Sequence, residues 1–393
     1  CSNPLDYPIH FNEINQTEKA YYASRRRSIM KKQKMNAYPD SKSHAEDKRM
    51  YASMIQKYET IFNKAIASNK IHEAVLFIES ANGDFSYNQG YGGKDIDSPI
   101  LMASITKLFT TTCILALREE GKLSLDDQIA KYLDNSVLKG LHIFKGKEYS
   151  CELTISDLLF QISGLPDVFE EGKDSFKRRV IKEDFFYTFN EIVAMTKNLK
   201  PHSIPHTRAY YADINYDLLG AIIEKITNWP LNKIYRHYIF EPLGLKNTYL
   251  PENENDFIPN IFYNHKTIHR PKFVMSSRAS GGCVSTTREL MTFLKAFFGG
   301  ALFNISIFDE LSLCNKLQAS MTPICYGSGY MQILLNGITS LFMGKGELMG
   351  HSGSTGSFAF YYPIKDLFIV GDLNQMANAA LPIKLAIQIA IKN

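Results

Sequence analysis

Ser104 and Lys107 stand three residues apart in Ser104-Ile105-Thr106-Lys107, ahead of the apolar and threonine-rich run Leu108-Phe109-Thr110-Thr111-Thr112. In a helix that spacing places a hydroxyl and an amine on one face, one turn apart. A serine hydroxyl is almost never ionised at neutral pH, so it attacks a carbonyl carbon only when a neighbour takes its proton. Lysine can take it when neutral, and burial in an apolar helix near the positive end of the dipole pulls its pKa in that direction. The spacing predicts a nucleophile beside a base. Alone it is a weak signal, because a capping serine followed by a solvated lysine has the same letters.

Two further stretches concentrate polar and flexible residues. Tyr210-Tyr211-Ala212-Asp213-Ile214-Asn215-Tyr216 is a polar, aromatic loop running into a helix, and Gly350-His351-Ser352-Gly353-Ser354-Thr355-Gly356-Ser357 is a glycine-rich strand edge leading into an aromatic strand. The pairs His202/His206 and His265/His269 have a spacing that can hold a metal, but Pro205 interrupts the first and no Glu or Cys completes either. Neither a metal nor a cofactor is expected.

The elements that must position these residues are legible in outline. Apolar residues from Met50 to Ile66 recur at helical spacing and predict a helix from about Ala45 to Asn69. A hairpin follows, His72 to Glu79 returning through Asn82-Gly83 into Phe85 to Tyr91. The Ser104 helix runs to about Glu120 and stops at Gly121. Short helices and loops then extend to about residue 270, with helical patterns over Leu153 to Gln161, Asn190 to Lys197, Tyr216 to Thr227 and Leu231 to Phe240. Strand signals resume from Gly329: Tyr330 to Leu335, Ile338 to Met343, Ser357 to Tyr362 and Leu367 to Gly371. The C-terminal run from Ile383 to Ile391 fits a strand by alternation and a helix begun at Pro382 equally well. Sheet at both ends of the chain with helices between predicts an α/β (α+β) architecture: an antiparallel sheet flanked by helices, with an inserted all-helical subdomain. The expected boundaries are a polar tail over residues 1–45, an α/β part over about 46–120 and 275–393, and a helical subdomain over about 121–274.

With 45% apolar and 21% charged residues the chain has the make-up of an ordinary globular protein, and no run reaches the roughly 18 to 20 apolar residues of a membrane-spanning helix. The net charge of +4 is concentrated in residues 1–50, where ten Lys or Arg face six acids. No nucleic-acid motif accompanies that cluster, so a solvated tail is expected, with anionic lipid headgroups as its partner if it lies near a bilayer. The six cysteines have no C-x-x-C spacing, and buried free thiols are the default. Cys1-Ser2-Asn3 followed by a polar stretch looks like the mature start of a bacterial lipoprotein, which predicts an extracytoplasmic protein anchored through lipidated Cys1.

Taken together, these stretches resemble the penicillin-recognising serine hydrolases, in the branch that holds class C β-lactamases, D-alanyl-D-alanine carboxypeptidases, D-aminopeptidases and family VIII esterases. The resemblance covers most of residues 50–393. Its S-x-x-K motif matches Ser104 to Lys107, its Y-x-N motif Tyr211 to Asp213, and its K-T-G or H-x-G motif His351 to Gly353. Flanks at Ser163-Gly164-Leu165-Pro166, Pro242-Leu243-Gly244-Leu245 and Ser280-Gly281-Gly282 match as well. The resemblance implies that Ser104 attacks, that Lys107 and Tyr211 form the base, and that the N–H groups of Ser104 and Ser354 form the oxyanion hole. A phenol near pKa 10 serves as a base only beside a cation. Gly353 and Gly356 are expected to let the strand approach the substrate. Asp213 and His351 would bind substrate, yet both depart from the pattern: Asp213 stands where an asparagine donor is usual, and a carboxylate only accepts. His351 replaces the lysine of class C enzymes, is only partly charged at pH 7, and shifts the resemblance toward the carboxypeptidase, aminopeptidase and esterase members. Phe160-Gln161-Ile162-Ser163-Gly164 replaces a common His-Thr-Ser-Gly with no consequence derivable from sequence. The implied activity is acyl-enzyme hydrolysis of an ester or amide by a monomer, with cell-wall D-alanyl peptides the leading substrate class. A class C-like β-lactamase and a non-catalytic peptidoglycan- or penicillin-binding receptor are the alternatives.

Overall fold

Apolar strands buried along most of their length form one antiparallel sheet of eight strands. The computed structural model describes residues 43–253, 255–311, 314–335 and 344–392. The basic tail, Cys1, the Asn336-Gly337 turn and the strand expected over Ile338 to Met343 lie outside the described residues.

The strands are β1 (Ala74–Ser80), β2 (Ser86–Tyr91), β3 (Asn315–Lys316), β4 (Ile324–Gly327), β5 (Tyr330–Leu334), β6 (Glu347–Ser352), β7 (Ser357–Tyr362) and β8 (Leu367–Asp372). Their spatial order is β2-β1-β8-β7-β6-β5-β4-β3, so the N-terminal hairpin joins the C-terminal strands through β1 and β8, with Val75 opposite Asp372. Sequence reading missed β3 and β4, whose short runs around Pro323 carry little β signal. It also read the first half of the His351 stretch only as a strand edge, whereas β6 is a central strand.

Every residue of β8 is buried, which requires cover on both faces of the sheet. Three helices pack on it: α1 (Ser43–Ile66), α4 (Thr287–Gly299) and α5 (Leu381–Ile391). The C-terminal run is therefore helical. Pro382 sits in the first turn, where its missing N–H costs nothing, and Leu385, Ala386, Ile389 and Ala390 form the buried face. Between these parts run α2 (Thr106–Glu119), α3 (Ile214–Thr227) and the shorter helices of the subdomain.

Helix α2 is the pivot. Residues Thr106 through Leu117 are all buried, because the helix lies between β5 and α3 rather than on a surface. Its threonines reach outward to fix those neighbours: Thr110 Oγ1 donates to Ala279 O at 2.8 Å, and Thr111 Oγ1 to Gly329 O at 2.8 Å. Gly329 has φ +79°, and a Cβ there would lie 2.4 Å from the Thr111 methyl, so only glycine permits this approach of sheet to helix. Cys113, Cys283, Cys314 and Cys325 are free thiols, as expected, whereas Cys151 is disulfide-bonded.

Candidate active site

The nucleophile motif sits at a bend. Leu101 pairs with Val284 in a two-stranded ladder, Met102 N–H donates to Cys283 O at 3.0 Å, and the chain then turns through Ala103 at φ +45°. An alanine in left-handed backbone is uncommon and costs about 1–2 kcal/mol, and it is held here by the packing around it. The turn continues as one 3₁₀ turn, Ala103–Ile105, into α2, leaving Ser104 partly exposed and Lys107 fully buried.

Lys107 Nζ has three partners. It lies 3.1 Å from Ser104 Oγ, 2.6 Å from Asp213 Oδ1 and 2.6 Å from Ser280 O. Those contacts engage all three ammonium protons. Burial pulls the ammonium pKa down, but the charge of Asp213, followed by that of Tyr211, outweighs it and holds Lys107 above the ordinary lysine value. This corrects the sequence expectation of a lysine neutralised by burial: the expectation took no account of a carboxylate brought from 106 residues away.

Asp213 immediately precedes α3, at the end of an irregular loop whose N–H groups are each held by a named acceptor. Tyr210 N donates to Gln161 O at 2.8 Å, Tyr211 N to Gln318 Oε1 at 3.0 Å, Ala212 N to Gln161 Oε1 at 3.0 Å and Asp213 N to Asp167 Oδ1 at 3.3 Å. Gln161 also accepts from Asn215 Nδ2 at 2.5 Å. This gives the Gln161 departure its consequence: its amide oxygen bridges the loop and the start of α3. Gln318, Asp167 and Gln161 were not identified as site residues from sequence. The one available signal was Gln161 standing inside an otherwise matching motif.

Tyr211 is buried, with its ring centroid 5.2 Å from Lys107 Nζ. Burial raises its pKa above the ordinary phenol value; Lys107 and Ser104 act in the opposite direction but do not prevail. Its hydroxyl faces Ser104 and Lys107 without a hydrogen bond of normal geometry. It is a neutral phenol rather than the phenolate the resemblance suggested, because burial, with the charge of Asp213 behind it, outweighs the cation meant to favour the anion.

His351 is also fully buried, its ring 6.1 Å from that of Tyr211 and 5.8 Å from that of Tyr326. Nδ1 lies 2.8 Å from Ser352 O, an oxygen that only accepts, so Nδ1 carries the proton and Nε2 presents a bare lone pair with no partner. Burial, and after it the charge of Lys107, pull the imidazole pKa down to about 3. The side chain is thus a neutral acceptor, not the partly charged group expected.

Gly353 and Gly356 allow close approaches within the chain itself. A Cβ at Gly353 would lie 2.6 Å from Met102 O and 2.3 Å from Ser357 Oγ, and one at Gly356, where φ is +108°, would lie 2.8 Å from Gln375 N. Through Gly353 the strand edge is pressed against the nucleophile turn, and Ser357 Oγ donates to Met102 O at 3.0 Å. Ser354 is thereby brought to the same cavity as Ser104 and Asp213. That cavity is narrow and partly open to solvent, and its apolar lining includes Leu101, Phe169, Phe176, Tyr187 and Phe273. Arg270 also lines it, but its guanidinium donates to the carbonyls of Val180, Ile181 and His269.

The carboxyls behind the site are the other surprise. Burial, with the charge of Asp213 second, raises Asp167 well above the usual carboxylate range and Asp217 to about 7. Of the histidine pairs, His202 Nε2 pairs with Glu171 at 2.9 Å and His206 Nδ1 with Asp157 at 2.5 Å, and among the described residues no group of potential metal ligands converges.

Comparison with known proteins gives the chain its relatives. "Putative D-alanyl-D-alanine carboxypeptidase" of Salmonella agona is 28% identical over 302 residues, 68% of this chain and 67% of that protein. "Protein flp" of Staphylococcus aureus is 27% identical over 254 residues, 61% of this chain; the match spans only about half, 48%, of that protein. Among solved structures, a D-stereospecific amidohydrolase from Streptomyces sp. superposes with a TM-score of 0.68 at 23% identity, covering 84% of this chain and 97% of that one. The hydrolase EstCE1 superposes with a TM-score of 0.71 at 16% identity, covering 88% of this chain and 100% of that one. At such identities the structural likeness concerns the fold. The β-lactamase family profile matches residues 62–392, nearly the whole described chain, and the protein belongs to the Beta-lactamase family.

Proposed function

We propose that the protein is a serine hydrolase that cleaves an ester or amide through an acyl-enzyme on Ser104, and that its preferred substrates carry an apolar acyl group and no carboxylate beside the scissile bond. The observation that carries the first part is Ser104 Oγ, 3.1 Å from the Lys107 ammonium, at the wall of an apolar cavity. A cation at that distance favours the alkoxide that forms as the oxygen attacks.

The second part rests on His351. A terminal carboxylate, as in a D-alanyl peptide or a β-lactam, needs a donor or a cation, and His351 offers neither: its free nitrogen is an acceptor. The charged side chains that line the cavity are Asp213, an acid, and Arg270, which already gives three of its N–H groups to backbone carbonyls. The aromatic wall favours a bulky acyl side chain, whose burial is worth roughly 25 cal/mol per Å² of apolar surface. This reading moves the emphasis from D-alanyl peptides toward amidase or esterase activity.

Incubation with a fluorophosphonate and with a fluorescent penicillin, followed by intact-mass measurement, tests it. The expected result is a phosphonyl adduct on the wild-type chain that Ser104→Ala abolishes, turnover of nitrophenyl phenylacetate, and no lasting penicilloyl adduct. A persistent penicilloyl adduct would return the reading to a carboxypeptidase, and the absence of both adducts would make the protein a binder.

A further inference from the structure

A serine nucleophile needs somewhere for its proton to go, and none of the expected acceptors is free in this site. Lys107 is an ammonium with its three protons engaged, and Tyr211 is a neutral phenol in a buried position. A group with lone pairs to receive the proton is one step further on: Asp213 Oδ1 lies 2.6 Å from Lys107 Nζ, which in turn lies 3.1 Å from Ser104 Oγ. An asparagine at 213 could hold the lysine but could not take its proton; a carboxylate can do both.

We propose, granting the reading of Ser104 as nucleophile, that Asp213 is the terminal proton acceptor for acylation, reached through Lys107. A proton moves from Lys107 Nζ to Asp213 Oδ1, and the lone pair so exposed takes the proton of Ser104 Oγ as that oxygen bonds to the acyl carbon. The carbonyl electron pair moves onto its oxygen. On collapse the bond to the leaving group breaks, and the leaving group receives the Tyr211 proton. Tyr211 is then reprotonated by Lys107 and Lys107 by Asp213, so the net transfer is the serine proton to the leaving group.

The surroundings favour this route. Lys107 is fully buried and the Asp213 side chain only 23% exposed, so the neutral pair is less costly here than in water, with the ion pair still the resting state. The titratable groups that sense Asp213 are Lys107, Asp167, Tyr187, Tyr211, Asp217 and Tyr326. Apart from Lys107, all are acids; the three phenols are un-ionised, so a proton arriving on Asp213 removes repulsion toward Asp167 and Asp217 wherever those carboxyls are ionised. Tyr211 is left to act as an acid, which suits a phenol held neutral with an uncommitted hydroxyl.

Asp213→Asn is the direct test, because asparagine preserves shape and the acceptor toward Lys107. Loss of a proton acceptor lowers rates by about 10² to 10⁴. The expected result is a fall of that size in kcat for nitrophenyl phenylacetate and in the rate of fluorophosphonate labelling. KM should stay within about twofold, the acidic limb of the kcat/KM profile should disappear, and Asp213→Glu should recover at least part of the rate. Labelling and a pH profile like those of the unaltered chain, or a loss confined to KM, would overturn the relay. A second measurement needs no variant: two protons in flight make the dependence of acylation rate on deuterium content of the solvent curved, and a linear dependence overturns it. Failure of the unaltered chain to label at all would instead remove Ser104 as nucleophile.

Discussion

Replacing Asp217 by asparagine should stabilise the protein in alkaline solution and much less so in acid. Asp217 lies in α3 one turn beyond Asp213, is 9% exposed, and has one carboxyl oxygen with no hydrogen-bond partner. Burial, with the charge of Asp213 second, raises it from its ordinary 3.8 to about 7. The folded chain therefore holds this proton more tightly than the unfolded one. The associated stability is fully present below the unfolded value of 3.8 and is lost as pH rises through about 7. Each pKa unit is worth 1.36 kcal/mol, so once the group is ionised in both states its penalty is about 4 kcal/mol. By pH 5 over a third of that has accrued, which leaves about 3 kcal/mol to appear between pH 5 and pH 8.5. Asparagine does not titrate and is free of this penalty. Urea denaturation of both chains at half-unit pH intervals measures the difference. The stability gained by Asp217→Asn should grow by about 3 kcal/mol across that window, whatever constant offset the amide introduces. A difference that does not vary with pH would show that Asp217 is not a strained carboxyl and would weaken the electrostatic account of the site.

Other perturbations separate the parts of the site. Tyr211→Phe removes a buried hydroxyl that has no normal hydrogen bond, so the melting temperature should hold or rise while kcat falls by about 10² to 10⁴; an undiminished kcat would remove the phenol from the mechanism. Gln161→Leu leaves the Ala212 N–H and the Asn215 amide without their acceptor, which should cost about 1–3 kcal/mol for each in denaturation experiments and loosen Tyr211 enough to lower labelling of Ser104. Gly353→Ala forces a methyl to within 2.6 Å of Met102 O, so the turn carrying Ser104 must shift; loss of fluorophosphonate labelling in a chain that keeps its circular dichroism is the expected outcome.

The sequence by itself determined the parts of the site that chemistry imposes locally. The S-x-x-K spacing pointed to Ser104 and Lys107 by itself, and the resemblance to the penicillin-recognising serine hydrolases added Tyr211 and His351, all before any fold was known. The hairpin, the α2 helix and the C-terminal strand pair β7 and β8 were legible because periodicity and turn residues are read within a dozen positions. The C-terminal helix was not, because its apolar residues satisfy two periods and only packing against the sheet chooses between them.

Charge states belonged entirely to the tertiary structure. The motif suggested a neutral lysine, a phenolate and a partly charged histidine, and the fold reverses each. Asp213 meets Lys107 and keeps it cationic, burial followed by the charge of Asp213 leaves Tyr211 a neutral phenol, and full burial strips His351 of its charge. A pKa depends on burial and on neighbours at a few ångströms, and those neighbours come from segments up to 247 residues apart. The sequence specified which groups meet; only their three-dimensional enclosure decided which of them hold protons.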